Sequence, residues 1–452
     1  MELKGKRVLV VGLARSGVAA ARLCAMHGAV VTCTDRRTAA ELKETVELLL
    51  PLGVRFELGG HDVGAFTGAE LIVLSPGVPG DGPELVEARR AGVQVVSEVE
   101  LASRFLTEPL VAITGTNGKS TTTALIGHLL AAAGKQLFVG GNLGTPFSER
   151  CLDGVARDVS VVELSSFQLE AVDELRPSVA VLTNLTPDHL DRYPSVQGYY
   201  EAKRAIFRRQ RDTDFAVVNA GDDKALRLQV GARSQLFTFG SGAPEDGGAR
   251  DDGTALVVRG LPGATGDERY TELGKALRGG HNRENAMAAI LAARLAGASE
   301  AAVRAALPTY PGLPHRLELV RTAFGAEWIN DSKATNVDST LVGLRAFPSG
   351  VIWIAGGLGK GAPYAPLRPL LAGRVKALLT IGKDAGALAG ELGDLVAPCA
   401  CETLEGAVQK ARELCGEGDV VLLSPACASY DQFRDYEHRG AEFRRLVEAL
   451  PG

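Results

Sequence analysis

Residues 110–121 read Leu-Val-Ala-Ile-Thr-Gly-Thr-Asn-Gly-Lys-Ser-Thr, a short apolar run that passes directly into a glycine-rich turn. The Ala-rich stretch that follows predicts a helix, so the turn joins a buried strand to a helix N-terminus. Backbone N–H groups in such a turn surround phosphate oxygens. The spacing departs from the common GxxxxGK[ST] pattern, because Ile113 stands six positions before Lys119 where the pattern has Gly. Strand, loop and helix together still predict a phosphate-binding loop in a parallel α/β fold.

Short β-branched runs, each followed by an Ala/Leu/Arg-rich stretch, recur on both sides of this loop. Such alternation predicts parallel βαβ units. The runs before the loop are 7–12, 30–35, 54–59, 71–77 and 93–97. The later runs are 110–115, 137–142, 160–165, 179–184, 215–222, 350–357, 375–382 and 419–425. A hairpin is predicted to flank the polar insert at 241–253.

The runs fall into three sets, so we predict an α/β protein of three domains. Residues 1–97 are predicted to form a Rossmann-like domain, and residues 98–312 a central parallel sheet of the P-loop type. Residues 313–452 are predicted to form a second Rossmann-like domain. The proline-rich stretch 308–316 marks the second boundary.

Composition excludes several classes of protein. The chain has 452 residues and a net charge of −5, so no global attraction to nucleic acid or anionic membranes is expected. No apolar run approaches a membrane span, and the N-terminus leads directly into a strand, so we expect a cytoplasmic protein with no membrane partner. The seven cysteines contain no CxxC pair, which argues against a disulfide framework or a zinc site.

The phosphate loop and the next strand carry residue types that suit a nucleotide and a metal. Lys119 supplies a point charge for phosphates, and the hydroxyl of Ser120 or Thr121 can ligate Mg²⁺. Glu163 ends the next candidate buried strand, where a P-loop enzyme places the acid that holds its magnesium. Without a metal, a carboxylate at the end of an apolar strand would need another partner.

A second glycine-rich turn, Gly12 to Gly17, follows the first strand and opens a helix, and Asp35 ends the second strand. This spacing is typical of a dinucleotide-binding fold. Ala14 replaces the middle glycine, however, and its methyl group obstructs the closest approach of a pyrophosphate. The turn is therefore weak evidence for NAD, although a nucleotide diphosphate at the helix N-terminus remains open, as does a turn with only a structural role.

Seven ordered motifs resemble those of the Mur ligases of peptidoglycan synthesis. They are GTNGKSTTT from Gly115, ELSSFQLE from Glu163, LTNLTPDHLDRY from Leu182, HNREN from His281, LPHR from Leu313, INDSKATN from Ile329 and LLSPACASYDQF from Leu422. The resemblance covers all three predicted domains and implies an N-terminal domain for a uridine nucleotide, a central ATPase domain and a C-terminal domain for an amino acid.

The chemistry that the resemblance implies is ATP-driven amide formation. The L-alanine carboxylate of UDP-N-acetylmuramoyl-L-alanine attacks the γ-phosphate of ATP to give an acyl phosphate. The amine of D-glutamate then attacks the acyl carbon, and phosphate leaves. Two Mg²⁺ ions, for which Mn²⁺ could substitute, and basic side chains neutralise the anionic species. No nucleic acid takes part, and we expect a monomer.

The resemblance also implies roles for individual residues. Those assigned to catalysis are Lys119, Glu163, His189, Lys203 and Arg316. Those assigned to ATP are Gly115, Thr116, Asn117, Gly118, Lys119, Ser120, Thr121, Asn282, Asn285, Arg316 and Asp331. The metal ligands implied are Ser120, Glu163, His189 and a carbamylated Lys203, in which CO₂ has converted the amine into a carboxylate.

The two substrates other than ATP have their own implied sets. The residues assigned to the uridine substrate are Ala14, Arg15, Ser16, Asp35, Arg37, Ser75, Gly77 and Asn142. Those assigned to the amino acid are Lys333, Thr335, Lys360, Ser429, Tyr430 and Tyr436.

Four positions depart from the pattern of many close family members, where amino-acid selection is expected. Leu358 and Pro363 stand where many carry Asp, and Tyr430 and Tyr436 stand where many carry Leu and Phe. If the backbone makes the family contacts at the two tyrosines, the changes are neutral. If the hydroxyls point inward, the pocket is altered.

Four alternatives remain beside the main hypothesis. A sibling ligase that adds another amino acid is the nearest, and a folate-extending relative is opposed by residues 1–97, which that branch lacks. The Asn-Pro-Arg signature of siblings that add a diamino acid is replaced by DSKAT at 331–335. An NAD-dependent oxidoreductase is opposed by Ala14, and a non-catalytic nucleotide-binding module would need none of Glu163, His189 and Lys203.

Overall fold

The computed structural model describes residues 1–189, 192–244, 247–277 and 279–451. The chain divides into two compact units. Residues 1–273 and 281–309 form the first, and residues 274–280 and 310–452 form the second. The first unit holds two β-sheets and the second holds one.

The first sheet is built from the runs that precede the phosphate loop. Its strands are β1 Arg7–Val11, β2 Val30–Asp35, β3 Arg55–Leu58, β4 Leu71–Leu74 and β5 Gln94–Ser97. The helices are α1 Arg15–Met26, α2 Lys43–Leu49, α3 Val63–Gly68, α4 Pro83–Arg90 and, after the last strand, α5 Glu98–Ser103. All five strands are parallel in the order β3-β2-β1-β4-β5. The apolar residues of the interior strand β4 are all buried, as expected for a strand with helices on both faces.

The second sheet carries the phosphate loop. Its strands are β6 Leu110–Thr114, β7 Leu137–Gly141, β8 Val159–Glu163, β9 Val179–Leu182, β10 Phe215–Asn219, β11 Gln235–Phe239, β12 Gly248–Asp251, β13 Leu256–Arg259 and β14 Glu268–Tyr270. The helices are α6 Lys119–Ala132, α7 Phe147–Leu152, α8 Ser166–Leu169, α9 Val196–Arg204, α10 Asp223–Gln229, α11 Gly280–Leu295 and α12 Glu300–Ala306. The order is β7-β8-β6-β9-β10-β11-β12-β13-β14, parallel as far as β12 and antiparallel beyond it. Since β8, β6 and β9 are adjacent, the residues that follow them meet at one sheet edge.

The third sheet lies in the second unit. Its strands are β15 Glu318–Ala323, β16 Ala326–Asn330, β17 Val351–Gly356, β18 Val375–Ile381, β19 Pro398–Glu402 and β20 Asp419–Leu423. The helices are α13 Val337–Arg345, α14 Ala385–Leu392, α15 Leu404–Leu414 and α16 Tyr436–Glu448. The order is β15-β16-β20-β17-β18-β19, and β15 is the antiparallel edge strand. Segments of 3₁₀ helix lie at Leu50–Leu52, Ala205–Phe207, Lys275–Leu277, Leu307–Thr309 and Ala365–Leu370.

The three-sheet α/β architecture agrees with the prediction, and every run predicted as a strand contains one. Strands β12, β14, β15, β16 and β19 were not predicted, and β15 and β16 lie beside motifs that were interpreted as loops. No helix in the described residues is long and apolar enough to cross a bilayer.

The hairpin predicted to flank residues 241–253 is wrong. Strand β12 lies inside that insert and pairs with β13, whereas β11 runs parallel to β12. The turn between β12 and β13 is made by the side chain of Asp252, which accepts hydrogen bonds from the N–H groups of Thr254 and Ala255. A polar Asp-rich stretch therefore forms a tight turn where a long loop was expected.

Candidate functional site

The phosphate loop lies between β6 and α6 and depends on two glycines. Gly115 and Gly118 have φ angles of 144° and 83°, which disfavour residues with a Cβ atom. A Cβ at Gly115 would lie 1.9 Å from Thr183 Oγ1, and one at Gly118 would lie 2.3 Å from Asn285 Oδ1. The backbone here is thus closely enclosed, with its N–H groups at the N-terminus of α6.

Thr183 and Asn184, which directly follow β9, hold the phosphate loop by hydrogen bonds. Thr183 Oγ1 donates to the Asn117 carbonyl at 2.6 Å, and the Asn117 N–H donates to Asn184 Oδ1 at 2.9 Å. Thr183 was not predicted as a site residue. The available signal was its position directly after β9, at the sheet edge where the loop also lies, but its partner Asn117 is 66 residues away in sequence.

Lys119 and Lys203 both donate hydrogen bonds to the carbonyl oxygen of Gly115. The Nζ atoms of Lys119 and Lys203 donate to the Gly115 carbonyl at 3.0 and 2.8 Å. The Lys203 side chain is 1% exposed. Burial, and then the charge of Lys119, lowers the pKa of Lys203 well below its ordinary value, although Asp188 and Glu163 oppose the shift. Lys203 is therefore a buried lysine whose neutral form is favoured.

Glu163 presents a buried carboxylate with one oxygen that has no hydrogen-bond partner. Its Oε1 accepts from the Asn142 side chain at 2.7 Å, while Oε2 is buried without a partner. A carboxylate oxygen in this state suits a cation, and oxygen ligands are those that Mg²⁺ prefers. Asn142, which the resemblance assigns to the uridine substrate, is thus placed beside the candidate metal acid.

The His189 ring lies beside two aromatic side chains. Its ring centroid is 4.8 Å from that of Phe167 and 5.9 Å from that of Tyr199, and its φ of 54° is left-handed. Tyr199 also contacts Lys203, whose Nζ lies 4.7 Å from the Tyr199 ring centroid. His189 and Lys203 therefore share one aromatic neighbour, which brings two of the predicted catalytic residues into one cluster.

The predicted metal site stays a prediction. Among the described residues, no group of three or more His, Cys, Asp and Glu side chains is arranged to hold an ion. The implied set relies on a hydroxyl and a modified lysine as well as Glu163 and His189. Leu190 and Asp191 of the quoted LTNLTPDHLDRY motif lie outside the described residues.

Asn282 and Asn285 lie within the first turns of α11 and are both buried. The Asn285 amide donates to Asn282 Oδ1 at 3.2 Å, and Asn285 Oδ1 accepts from Thr122 Oγ1 at 3.4 Å. Since Asn285 also lies against Gly118, the structure places this pair beside the phosphate loop. Its predicted assignment to ATP stays a prediction.

The first glycine-rich turn is closed by Ser75 and Asp35. Ser75 Oγ donates to the Gly12 carbonyl at 2.7 Å, and Asp35 Oδ2 accepts from the Leu13 N–H at 2.7 Å. Burial disfavours the charge of Asp35, but hydrogen bonds from Arg37 and from the Leu13 backbone outweigh it and lower the pKa of Asp35. The Asp35 carboxylate therefore accepts hydrogen bonds both from the backbone of the turn and from Arg37.

A cavity of about 200 Å³ opens beside this turn. Its walls include Asp35, Arg36, His61 and Phe66. His61 is held by a 2.9 Å hydrogen bond between its Nδ1 and Thr34 Oγ1. Neither His61 nor Phe66 was predicted, because each lies in a separate loop or short helix with no motif around it. Of the other predicted uridine-site residues, Ala14 and Arg15 are exposed at the start of α1, Ser16 is half-buried there, and Gly77 lines the cavity.

Three loops of the second unit converge where β16, β20 and β17 end. Leu358, in the glycine-rich loop after β17, exchanges backbone hydrogen bonds with Ala428 in the loop after β20. Arg439 on α16 is fully buried and donates to the Ser332 hydroxyl and to the Cys427 carbonyl. It thereby joins the loops after β16 and β20, a role that its helix position alone did not reveal.

The predicted amino-acid residues are distributed over these loops. The Nζ atom of Lys333 lies 5.5 Å from the Tyr436 ring centroid, and Thr335 is half-buried on the same loop as Lys333. Ser429 is buried, whereas Lys360 is exposed and Tyr430 is 71% exposed. The structure thus brings Lys333 and Tyr436 together and leaves the Tyr430 side chain in solvent.

Arg316 and Asp331 also lie in the second unit. Asp331 Oδ2 accepts from Ser424 Oγ at 2.8 Å, and Oδ1 accepts from the Leu317 N–H at 3.2 Å. Burial raises the pKa of Asp331 to about 7, against the effects of Ser424 and Arg316. The Nε atom of Arg316 is buried without a hydrogen bond, and its neighbours His315 and Leu317 both have positive φ. Arg316 is thus held on a constrained turn next to a buried acid.

Comparison with known families matches most of the chain. Residues 6–97 match the Mur ligase MurD-like N-terminal domain, residues 113–293 the Mur ligase middle domain, and residues 315–427 the Mur ligase glutamate ligase domain.

Full-length relatives and solved structures agree with these matches. The UDP-N-acetylmuramoylalanine--D-glutamate ligase of Anaeromyxobacter dehalogenans is 59% identical over 99% of this chain and 98% of its own. The protein of the same name from Myxococcus xanthus is 53% identical over the whole of both chains. The solved UDP-N-acetylmuramate-alanine ligase MurC of Thermotoga maritima has a TM-score of 0.58 at 21% identity, covering 99% of this chain and 100% of that one. A structure of MurF from Acinetobacter baumannii has a TM-score of 0.60 at 18% identity, covering 90% and 88%. At these identities the structural matches show the fold alone.

Proposed function

The chain belongs to the Mur ligase family, and we propose that it joins D-glutamate to UDP-N-acetylmuramoyl-L-alanine at the expense of ATP. The observation that carries this proposal is the full-length match, at 45–59% identity, to relatives that are named UDP-N-acetylmuramoylalanine--D-glutamate ligase. The reaction forms an amide and releases ADP and phosphate, so the chain is a ligase of peptidoglycan synthesis.

The phosphate loop supports ATP binding in the first unit. The constrained backbone at Gly115 and Gly118 directs N–H groups toward the space in front of α6, and Lys119 adds a charge there. The hydrogen bonds of Lys119 to the loop carbonyls hold its ammonium at the loop. With ATP bound, that ammonium neutralises the phosphates, and positioning of the substrate carboxylate against the γ-phosphate supplies much of the rate.

Mg²⁺ is proposed at the unpaired Oε2 of Glu163, with Ser120, His189 and a carbamylated Lys203 as the other protein ligands. A bound magnesium ion would neutralise phosphate charge during transfer. Asn142 would orient the Glu163 carboxylate through its 2.7 Å hydrogen bond. Two ions, and their replacement by Mn²⁺, belong to this proposal.

D-Glutamate is proposed to bind where the three loops of the second unit meet. Lys333 supplies a cation for its carboxylates, and the buried Ser429 supplies a hydroxyl or backbone group. The exposed side chain of Tyr430 supports a backbone role at that position. Its replacement of the leucine common in the family is then neutral for selection.

We assign residues 1–97 to the uridine substrate, 98–312 to ATP and 313–452 to the amino acid. Arg316 and Asp331 are assigned to ATP. The protein is proposed to act as a monomer in the cytoplasm, without nucleic acid or membrane partners.

The deciding experiment measures phosphate release with ATP, Mg²⁺ and UDP-N-acetylmuramoyl-L-alanine. D-Glu, L-Glu, L-Ala, L-Lys and diaminopimelate are offered one at a time, and release is expected with D-Glu alone. Phosphate release with a different amino acid alone would show that D-glutamate is the wrong substrate, while the assignment to the ligase class would stand. Reduction of NAD by any small substrate would contradict both.

A further inference from the structure

A cavity of about 320 Å³ lies beside α9, and its lining includes no residue of the phosphate loop. Its walls come from α9, from the 3₁₀ segment Ala205–Phe207 and from the loop between α10 and β11. Three arginines, Arg204, Arg208 and Arg233, line it, together with Glu201. We call this space the arginine cavity.

Little in the described part of the chain compensates the charge of these arginines. Arg204 lies 3.6 Å from Glu201, but both side chains are about half exposed, so this pair is weak. Arg208 donates to the Val172 carbonyl at 3.0 Å, and the nearby Asp173 carboxylate, which feels the charge of Arg208, forms its ion pair with Arg209. The Arg233 side chain has no hydrogen bond or ion pair within the described residues. The cavity therefore carries a net positive charge.

We propose that the arginine cavity binds a compact anion with two or more phosphate groups. Guanidinium groups donate paired hydrogen bonds that match phosphate oxygens, and arginine is the side chain preferred for this recognition. The volume is at the lower end of the range for small-molecule sites, which is sufficient for a diphosphate or triphosphate. Clustered charges of one sign in a concave wall also raise the local concentration of counter-ions.

The position of the cavity gives the bound anion a structural consequence. Arg204 donates to the Val230 carbonyl at 3.2 Å, so α9 and the 230–233 loop already touch at the cavity rim. Lys203, the residue before Arg204, points to the other side of the helix and reaches the Gly115 carbonyl. An anion that bridges Arg204, Arg208 and Arg233 would hold α9 against that loop.

The test uses inorganic tripolyphosphate as the probe, with Lys119→Ala as the background to remove the main charge of the phosphate loop. Calorimetric titration of the full chain is expected to show one equivalent bound, with an affinity that falls as salt rises. In this background, Arg208→Gln with Arg233→Gln should weaken binding at least tenfold. Arg211→Gln with Arg227→Gln is the matched control, since both are exposed arginines of the same unit that do not line the cavity. The control should bind within twofold of the background.

A second measurement keeps the test valid if the Lys119→Ala variant does not fold. In the chain that keeps Lys119, two equivalents are expected, and the Arg208/Arg233 pair should lose one of them. Amide hydrogen exchange in residues 196–208 should slow at least twofold when the probe is bound. No binding in the Lys119→Ala background, or equal binding by the two double variants, would overturn the proposal.

Discussion

Lys203 combines deep burial with a second ammonium on the same carbonyl oxygen, and both conditions disfavour its charged form. Carbamylation requires a neutral amine, so the lowered pKa of Lys203 favours reaction with CO₂ near neutral pH. We predict that ¹³CO₂ gives a carbamate signal in the NMR spectrum of the intact protein. The signal should disappear in Lys203→Ala and remain in Lys224→Ala, since Lys224 is an exposed lysine on the neighbouring helix α10.

Turnover should follow the same pattern. Lys203→Ala is expected to lose at least about 100-fold in phosphate release, because the carboxylate proposed to hold a metal is gone. Short carboxylic acids should restore part of it, as they can supply a carboxylate to the vacated space. Full activity of Lys203→Ala without added acid would contradict the modification.

Glu98, at the start of α5, makes stability depend on pH. It is 1% exposed, its Oε1 accepts from the Ser148 N–H, and its Oε2 is buried without a partner. Burial raises the pKa of Glu98 to about 7, from 4.5 in an unfolded chain. The folded state therefore binds the extra proton between these values, and the free energy of unfolding falls as pH rises from about 4.5 to 7.

Glu98→Gln keeps an acceptor for Ser148 and cannot ionise. Calorimetry should give it a higher Tm than the unchanged chain at pH 8, by an amount that shrinks toward pH 5 and corresponds to at most about 3 kcal/mol. Glu108→Gln is a control in which the stability change at pH 8 is expected to have the opposite sign. Burial disfavours the charge of Glu108, but hydrogen bonds from Arg150 and Ser160 outweigh it and lower its pKa, so that variant should be less stable at pH 8. A Tm difference for Glu98→Gln that does not change with pH would contradict the assignment.

The phosphate loop, as an element, depends on backbone conformation more than on side chains. Gly115→Ala adds a Cβ that would lie 1.9 Å from Thr183 Oγ1 at a φ of 144°, so the loop must move. A displacement of about 1 Å at a reacting centre can cost about 100-fold in rate, and we expect at least that loss of phosphate release. Gly134→Ala is the control, because Gly134 also has a positive φ of 78° but a Cβ there meets nothing within 4 Å. Equal losses in the two variants would mean that a Cβ at any glycine of positive φ causes the loss, and not the contact with Thr183.

Elements with strong local signals were predictable, and contacts between distant segments were not. Apolar runs identified β6, β8 and β9, and the glycine-rich turn was correctly placed between a strand and a helix. Strands β15 and β16 were missed because they lie beside LPHR and INDSKATN, motifs that were interpreted as loops. Thr183, His61 and Arg439 were missed for another reason. Each acts through a partner far away in sequence, and only folding defines that partner.

At the scale of the whole molecule, a net charge of −5 must coexist with substrates that are all anionic. The basic groups are therefore local. Lys119 lies at the phosphate loop, Arg36 at the cavity beside the first turn, and Lys333 at the loops of the second unit. Because each group lies on a different sheet, removal of one should weaken one substrate and spare the others.

The separation of the ATP site from the uridine-substrate site can be tested with two variants in the first unit, Lys119→Ala and Arg36→Ala. Lys119→Ala should reduce turnover by at least about 100-fold, since a charge aimed at the transferring phosphate is lost. Its affinity for UDP-N-acetylmuramoyl-L-alanine, measured by calorimetry, should stay within about twofold, because the first-sheet cavity is built from other residues. Arg36→Ala should do the reverse, weakening the uridine substrate and leaving ADP binding unchanged. If either variant weakens both ligands alike, the assignment of the uridine substrate to the first sheet and of ATP to the second is wrong.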